Sequence, residues 1–360
     1  MKILQLINKH QNRGAETFAC QLAGHLIALG HQVKMVAVFN GEANLPFKGE
    51  IICLNASPGK RFLDLKAWKN LAEVISTFQP DIIQANAGDT LKYAIFSRII
   101  FGWKAPVLFR NASEVGRYLT SYFQKKYNGF LYKKLDAVAS VSAASEKDLL
   151  QHFPFLKGKT EVIPIGLEEI KEISPVHLQP GSGKHIVHVG GFSFEKNHRG
   201  LLRIFSKVLE KNQQAYLHLV GDGPLKEEVE TEVKKMGLSP RVRFYGFVNN
   251  PLSFINVADV LVLPSIIEGL PGVILEAMFC KTPVVAYNVG GISEIVGEGK
   301  GILIEKNEEE LFSEAIQKSI KSPEELGIDK AYHMVTNNYM NSEIALKFVN
   351  SYRKIATAPE

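Results

Sequence analysis

Long apolar runs are what this sequence lacks. None in its 360 residues approaches the ~20 needed to cross a bilayer, which excludes a helical membrane span. The opening Met1-Lys2-Ile3-Leu4-Gln5-Leu6-Ile7 gives way to polar residues too soon for a secretory signal, so a cytoplasmic location is expected. Cysteine is scarce: Cys20, Cys53 and Cys280 stand far apart, with no metal or redox spacing. That excludes a disulfide framework and reads as buried thiols in a reducing compartment. Neither sign of charge dominates, with 42 lysines and arginines against 37 acids. The net +5 suits an anionic ligand or an anionic lipid surface without specifying either, and no nucleic-acid partner is expected. No low-complexity tract occurs, and the glycine fingerprint of a dinucleotide fold is incomplete.

What is present is alternation. Apolar runs of strand length take turns with stretches of helical spacing from one end to the other, the mark of parallel sheets covered on both faces. Ile3–Ile7 and Val33–Val38 read as strands. Between them Phe18, Leu22, Leu26 and Leu29 recur at helical spacing, and Gly30 closes the helix. Leu65, Trp68, Leu71, Ala72, Ile75 and Phe78 predict an amphipathic helix ending at Pro80. From Glu168 to Lys184 periodicity fails and proline, glycine and serine thicken, which predicts a linker at 169–184. At this length two domains are expected: 1–168 and 185–340, the latter opening with His185-Ile186-Val187-His188-Val189.

The stretch from Ala258 to Val296 carries the chemistry. Val260-Leu261-Val262-Leu263 is a strand suited to burial on both faces, and Pro264-Ser265 ends it. After a loop containing Glu268, Gly269, Leu270 and Pro271, a helix follows from Gly272 and Val273. Pro271 suits its first turn, since proline there gives up an amide that lacks a partner anyway. The free amides of Gly272 and Val273 then point out of a positive helix end, an anion site of the kind phosphate fills. Glu268 and Glu276 flank it. Carboxylates would repel a phosphate, so hydroxyl groups are their natural partners. A diphosphate carrying a polyol at each end, as in a nucleotide sugar, would satisfy every group.

Glu268 and Glu276 with seven residues between them, Pro264-Ser265 ahead, and Pro283-Val284-Val285-Ala286 and Gly290-Gly291-x-x-Glu294-Ile295-Val296 behind form an ordered set. It resembles the signature of the retaining GT-B glycosyltransferases of family 4, also called glycosyl transferases group 1. That resemblance implies two Rossmann-like, doubly wound α/β domains facing across a cleft: an acceptor domain at 1–168, a nucleotide-sugar domain at 185–340, and a last helix at about 341–356 crossing back onto the first. It implies a donor site of Gly14, Gly191, Lys196, Phe247, Val248, Glu268, Gly269, Leu270, Gly272, Val273 and Glu276. Glu268 would meet hydroxyls of the sugar and Glu276 the ribose. Lys196, with the helix-end amides, would stabilise the leaving diphosphate. Asn86, Arg110 and Asn111 would lie on the acceptor side. No metal and no bound cofactor are implied, and the co-substrate would be a UDP-sugar.

The chain departs from the pattern at several positions. Arg13-Gly14 replaces paired glycines after the first strand, and no histidine stands near Asn111. Gly191 occupies the position of a diphosphate-binding arginine, which leaves Arg199, His198 or Arg13 to supply that charge. Arg117 to Lys134 mixes tyrosines and phenylalanines with lysines and arginines. Its two readings are a peripheral contact at the inner face of a membrane and a helix with an apolar core stripe. The resemblance implies transfer of a sugar, with retention, from a nucleoside diphosphate to a hydroxyl of a glycan or lipid-linked acceptor in bacterial surface polysaccharide synthesis. A two-carboxylate hydrolase, a sugar epimerase or phosphorylase, and a non-catalytic partner protein on the same fold stand as alternatives.

Overall fold

The apolar runs become strands. The computed structural model describes residues 1–60, 63–170, 172–174, 176–178 and 182–356, and the chain within it divides into two units. The first comprises Met1–Glu168 with the segment from Asn341 onward; the second is Glu169–Met340. Part of the predicted linker, Lys171, Pro175 and Gln179 to Gly181, lies outside the described residues.

The first unit holds a seven-stranded sheet: β1 (Lys2–Lys9), β2 (Gln32–Phe39), β3 (Ile51–Cys53), β4 (Ile82–Ala85), β5 (Val107–Asn111), β6 (Ala137–Ser140) and β7 (Thr160–Val162). The order is β3-β2-β1-β4-β5-β6-β7 and every pairing is parallel. Parallel neighbours need crossover connections, and helices such as Gly14–Ala28 and Leu65–Phe78 supply them. Gly30 follows the first of these helices at φ +84, the left-handed conformation that stops it. Trp68, Leu71 and Ile75 of the second are buried, as their spacing requires.

The helix Asn341–Ala356 belongs to this unit. Its Ile344, Phe348 and Tyr352 are fully buried among Ile3, Phe18, Leu22 and Leu26. Burying side chains of this size stabilises by about 1.5–3 kcal/mol each. The Tyr352 hydroxyl also closes a ring of buried hydrogen bonds. Gln5 Nε2 donates to that hydroxyl, which donates to Gln84 Oε1; Gln84 Nε2 donates to Asn86 Oδ1, and Asn86 Nδ2 donates to Gln5 Oε1. Each amide in the ring therefore has both a donor and an acceptor engaged, which removes the penalty for its burial.

The second unit holds β8 (Lys184–Val189), β9 (Ala215–Val220), β10 (Val242–Gly246), β11 (Val260–Leu263), β12 (Val284–Tyr287) and β13 (Ile302–Ile304). They form a parallel sheet of order β10-β9-β8-β11-β12-β13. All four residues of β11 and of β12 are buried, the pattern of central strands covered on both faces. In each sheet the winding reverses beside its first strand, at β1/β4 and at β8/β11. The crevice beyond the carboxyl ends of such a strand pair is where doubly wound sheets bind ligands.

Candidate active site

In the second unit, loops from the carboxyl ends of β8 and β11 converge. The β11 loop runs from Pro264 to Pro271 and leads into the helix Gly272–Phe279. Pro271 is its N-cap, with φ −77 and ψ 117, rather than a residue of the first turn: an extended residue must precede the first helical one. The correction leaves Gly272 and Val273 as the first helical residues, with amides at the positive end of the helix.

The β8 loop carries Gly190, Gly191 and the tight turn Phe194–Lys196, ended by Asn197 in the left-handed region. Asn197 also caps the helix His198–Lys211, accepting from the Gly200 amide. Two contacts bind this loop to the β11 loop. The Ile266 amide donates to the Glu195 carbonyl at 2.8 Å, and Asn197 Nδ2 to the Pro264 carbonyl at 3.1 Å.

Between the loops, Lys196 Nζ donates to Glu268 Oε1 at 2.6 Å. The lysine side chain is 21% exposed and the glutamate 10%, so the pair is shielded but open on one side. The lysine stem runs beside Gly190, where a Cβ would stand 3.3 Å from Lys196 Cδ. From behind, the loop after β12 braces Glu268. The Gly291 amide donates to the Gly269 carbonyl at 2.8 Å, and a Cβ on Gly290, at φ +56, would stand 2.0 Å from the Glu268 carbonyl oxygen.

Glu276 is half-buried within the helix, and burial pushes its carboxyl up to about 7. At neutral pH it can thus donate or accept hydrogen bonds. Beneath the β8 loop lie His188 and His198, buried and held uncharged, at about 4 and about 2, mainly by desolvation. His188 Nδ1 bonds to the Val262 carbonyl at 2.9 Å, and His198 stacks on Phe192 with ring centroids 4.0 Å apart. His198 therefore brings no charge to the site, and Arg199 is paired with Glu228. Position 191 itself has room: a Cβ there would meet only the Asp222 carbonyl oxygen, at 3.5 Å. Gly269 and Leu270 are buried, while Phe247 is exposed beyond β10 and Val248 half-buried.

The first unit places Gly14 at the exposed start of the helix Gly14–Ala28, with open space around it, so packing does not demand a glycine there. Asn86 and Asn111 turn inward: Asn86 belongs to the buried ring, and Asn111 Nδ2 donates to Ser140 Oγ and the Ser145 carbonyl. Both side-chain amides thus donate within the fold of the first unit. Arg110 is buried with its guanidinium 4.4 Å from the Phe18 ring centroid, and its Nε and Nη1 have no partner. Desolvation lowers its pKa to about 10, against the pull of Glu16.

Glu16, absent from the sequence reading, is buried, accepts from Gln11 Nε2 at 2.7 Å, and has its pKa raised by burial. Its signal was a carboxylate in helical register with Ala19, Cys20 and Ala23, on the apolar side. Ser265 of the strand-ending Pro264-Ser265 pair is fully buried, and its hydroxyl has no partner. Among the described residues no group of three or more histidine, cysteine, aspartate or glutamate side chains is placed to hold a metal ion.

Two family models match, each over one unit. Residues 12–169 match Glycosyltransferase Family 4, and residues 169–339 match Glycosyl transferases group 1. The chain belongs to this glycosyltransferase family.

Among its relatives is the putatively assigned glycosyltransferase EpsD of Bacillus subtilis, 26% identical over 320 residues that cover 82% of each chain. Another is the N-acetylgalactosaminyltransferase of Campylobacter jejuni that acts on N-acetylgalactosamine-N,N'-diacetylbacillosaminyl-diphospho-undecaprenol. It is 30% identical over 54% of this chain and 55% of its own length. The chain thus spans little more than half of that relative. HepE of Anabaena, solved in complex with UDP-glucose, superposes with a TM-score of 0.82 at 20% identity, over 98% of this chain and all of its own. The architecture of this glycosyltransferase is accordingly GT-B, with two Rossmann-like α/β units.

Proposed function

We propose that this family-4 glycosyltransferase moves a sugar from a UDP-sugar to a hydroxyl of a glycan or lipid-linked acceptor, with retention, in the assembly of a bacterial surface polysaccharide. The observation that carries the donor assignment is the Lys196–Glu268 pair beside the positive start of the helix Gly272–Phe279. A cation and helix-end amides suit a diphosphate, and a carboxylate suits the hydroxyls of the sugar attached to it. UDP-glucose bound to HepE, and the diphospho-undecaprenol acceptor of the Campylobacter relative, support the two substrate classes.

In the reaction the bond from the anomeric carbon to the diphosphate oxygen breaks, and its electron pair leaves with the phosphate. The acceptor oxygen bonds the same carbon on the same face, and its proton passes to the departing diphosphate. Lys196 and the amides of Gly272 and Val273 hold the charge growing on that leaving group. Glu268 orients the sugar, and Glu276 binds the ribose.

Lipid-linked acceptors lie at a membrane surface, and the first unit presents a fitting face. Tyr122 and Phe123 of the helix Tyr122–Lys133 are 66% and 83% exposed, which removes the core-stripe reading for these two rings. Lys125, Lys126, Lys133 and Lys134 are exposed on the same segment. Rings at the interface and lysines over anionic lipid are what peripheral binding needs. Among the described residues no helix is long and apolar enough to cross a membrane.

The test is incubation with a panel of UDP-sugars while following UDP release and the anomeric proton of the product by NMR. Release with an unchanged anomeric configuration is expected, and Glu268→Gln should lower turnover at least about a hundredfold, as for loss of a group acting in the transition state. Inversion of the anomeric centre would overturn the mechanism, and no release across the panel would overturn the donor. Sedimentation with phosphatidylglycerol vesicles should carry the protein down, and Phe123→Ala should release it; a protein left in the supernatant refutes the membrane contact.

A further inference from the structure

The Lys196–Glu268 contact joins two groups that the proposed donor would engage separately. The ammonium would go to the diphosphate and the carboxylate to the sugar, yet here each is the other's partner at 2.6 Å. We propose that the pair is a partner-exchange switch through which the site distinguishes an intact nucleotide sugar from a bare nucleoside diphosphate. The inference rests on the donor placement proposed above and adds to it a rule of selection.

The two members are not equally free to move. Glu268 sits on a loop held on both sides, by the Ile266 amide to the Glu195 carbonyl and by the Gly291 amide to the Gly269 carbonyl, each at 2.8 Å. Lys196 carries its charge on a flexible four-carbon stem and is the more exposed of the two. An arriving diphosphate would therefore draw the ammonium away and leave the carboxylate in place. At 10% exposure that carboxylate is poorly hydrated, and among the described residues no other lysine or arginine lies within 4 Å of it. An uncompensated charge in such a setting is strongly unfavourable.

A bare diphosphate gives Glu268 nothing in return. A diphosphate bearing a sugar gives it hydroxyl donors, so breaking the ion pair is offset only by the complete donor. The same logic acts in reverse after transfer: the carboxylate loses its sugar, reclaims Lys196, and weakens the hold on the product diphosphate. Position 191 sharpens the effect. A glycine there supplies no second cation and Arg199 is already paired with Glu228, so in the β8 loop the cation a diphosphate would draw on is the lysine held by Glu268.

Calorimetry with three probes, inorganic diphosphate, UDP and UDP-glucose, tests this on the full chain and on Glu268→Gln and Glu268→Ala, with thermal melts to establish folding. Removing the carboxylate charge should tighten inorganic diphosphate and UDP by roughly tenfold, because the competing attraction for Lys196 disappears. UDP-glucose should gain nothing or weaken, so the preference for the intact donor collapses. Adding Lys196→Ala to either variant should abolish the gain. Two outcomes overturn the switch: diphosphate affinity unchanged or weaker in both Glu268 variants, or no diphosphate binding to any of the proteins. If diphosphate tightens as described while UDP-glucose binds no protein in the set, the exchange stands and the proposed donor falls.

Discussion

At the scale of single residues, the burial of Glu276 ties stability to pH. Its carboxyl is held at about 7 in the fold, against 4.5 for an unperturbed glutamate. An unfolded chain ionises this group above pH 4.5, whereas the folded one resists until about 7. Stability is therefore lost as pH rises through that window and stays lost above it, by about 3 kcal/mol at most. Glu276→Gln removes the ionisation, so its melting temperature should exceed that of the natural protein at pH 8 and match it at pH 4.5. The same change should weaken UDP, whose ribose the carboxylate is proposed to hold. Equal melting temperatures at pH 8 would show that water reaches the carboxyl freely. The gain and the loss, measured on one variant, separate what burial costs from what the ligand recovers.

At the scale of elements, the β11 loop owes its shape to a neighbour. The turn after β12 presses Gly290 against the Glu268 carbonyl, with no space for a side chain and a φ of +56 that disfavours one. Gly290→Ala should cost about 1–3 kcal/mol through overpacking and strain. It should also move Glu268 away from Lys196, lowering kcat for transfer more than it raises KM. Activity and melting temperature both at natural levels would mean that the turn adjusts without touching the loop. The paired glycines are visible in the sequence, but the reason for them is not, because it lies in a carbonyl more than twenty positions upstream. The three-residue strand Ile51–Cys53 and the helix Ile328–Asn338 escaped notice for a different cause. The first is too short to show any period. The second packs with the helix Gly272–Phe279 through few apolar positions, of which Ala331 and Val335 are buried.

At the scale of the molecule, the two units should answer acid differently. Burial holds His188 and His218 at about 4 and His198 at about 2, and all three lie in the second unit. A folded pKa below the unfolded 6.5 stabilises above 6.5, and that contribution disappears as pH falls toward the folded value. Glu276 acts in the opposite sense, but three histidines oppose one glutamate, and each is displaced at least as far from its ordinary value. Both tryptophans, Trp68 and Trp103, lie in the first unit, so their fluorescence reports on that unit alone. On acidification from pH 7 to 4, circular dichroism should lose signal at a higher pH than tryptophan fluorescence changes. Coincident transitions would refute the difference.

Strand and helix order was legible from residues alone. Val260–Leu263 and the Trp68-Leu71-Ile75 stripe are periodic, Gly30 marks a helix end, and Pro271-Gly272-Val273 marks a helix start. Such features arise from sterics and hydrogen bonding between close neighbours in the chain, and near neighbours are what a sequence displays. The pairing of Lys196 with Glu268 spans 72 positions, and the bond from Gln5 to Tyr352 spans 347. Neither partner carries a local mark of the other. The raised pKa of Glu276, the inward turn of Asn86 and Asn111 and the burial of Glu16 against an apolar helix face belong to the same class. Only the tertiary structure decides them, since desolvation and partner choice depend on which loops and helices fold back over a residue, and loops have no period to read.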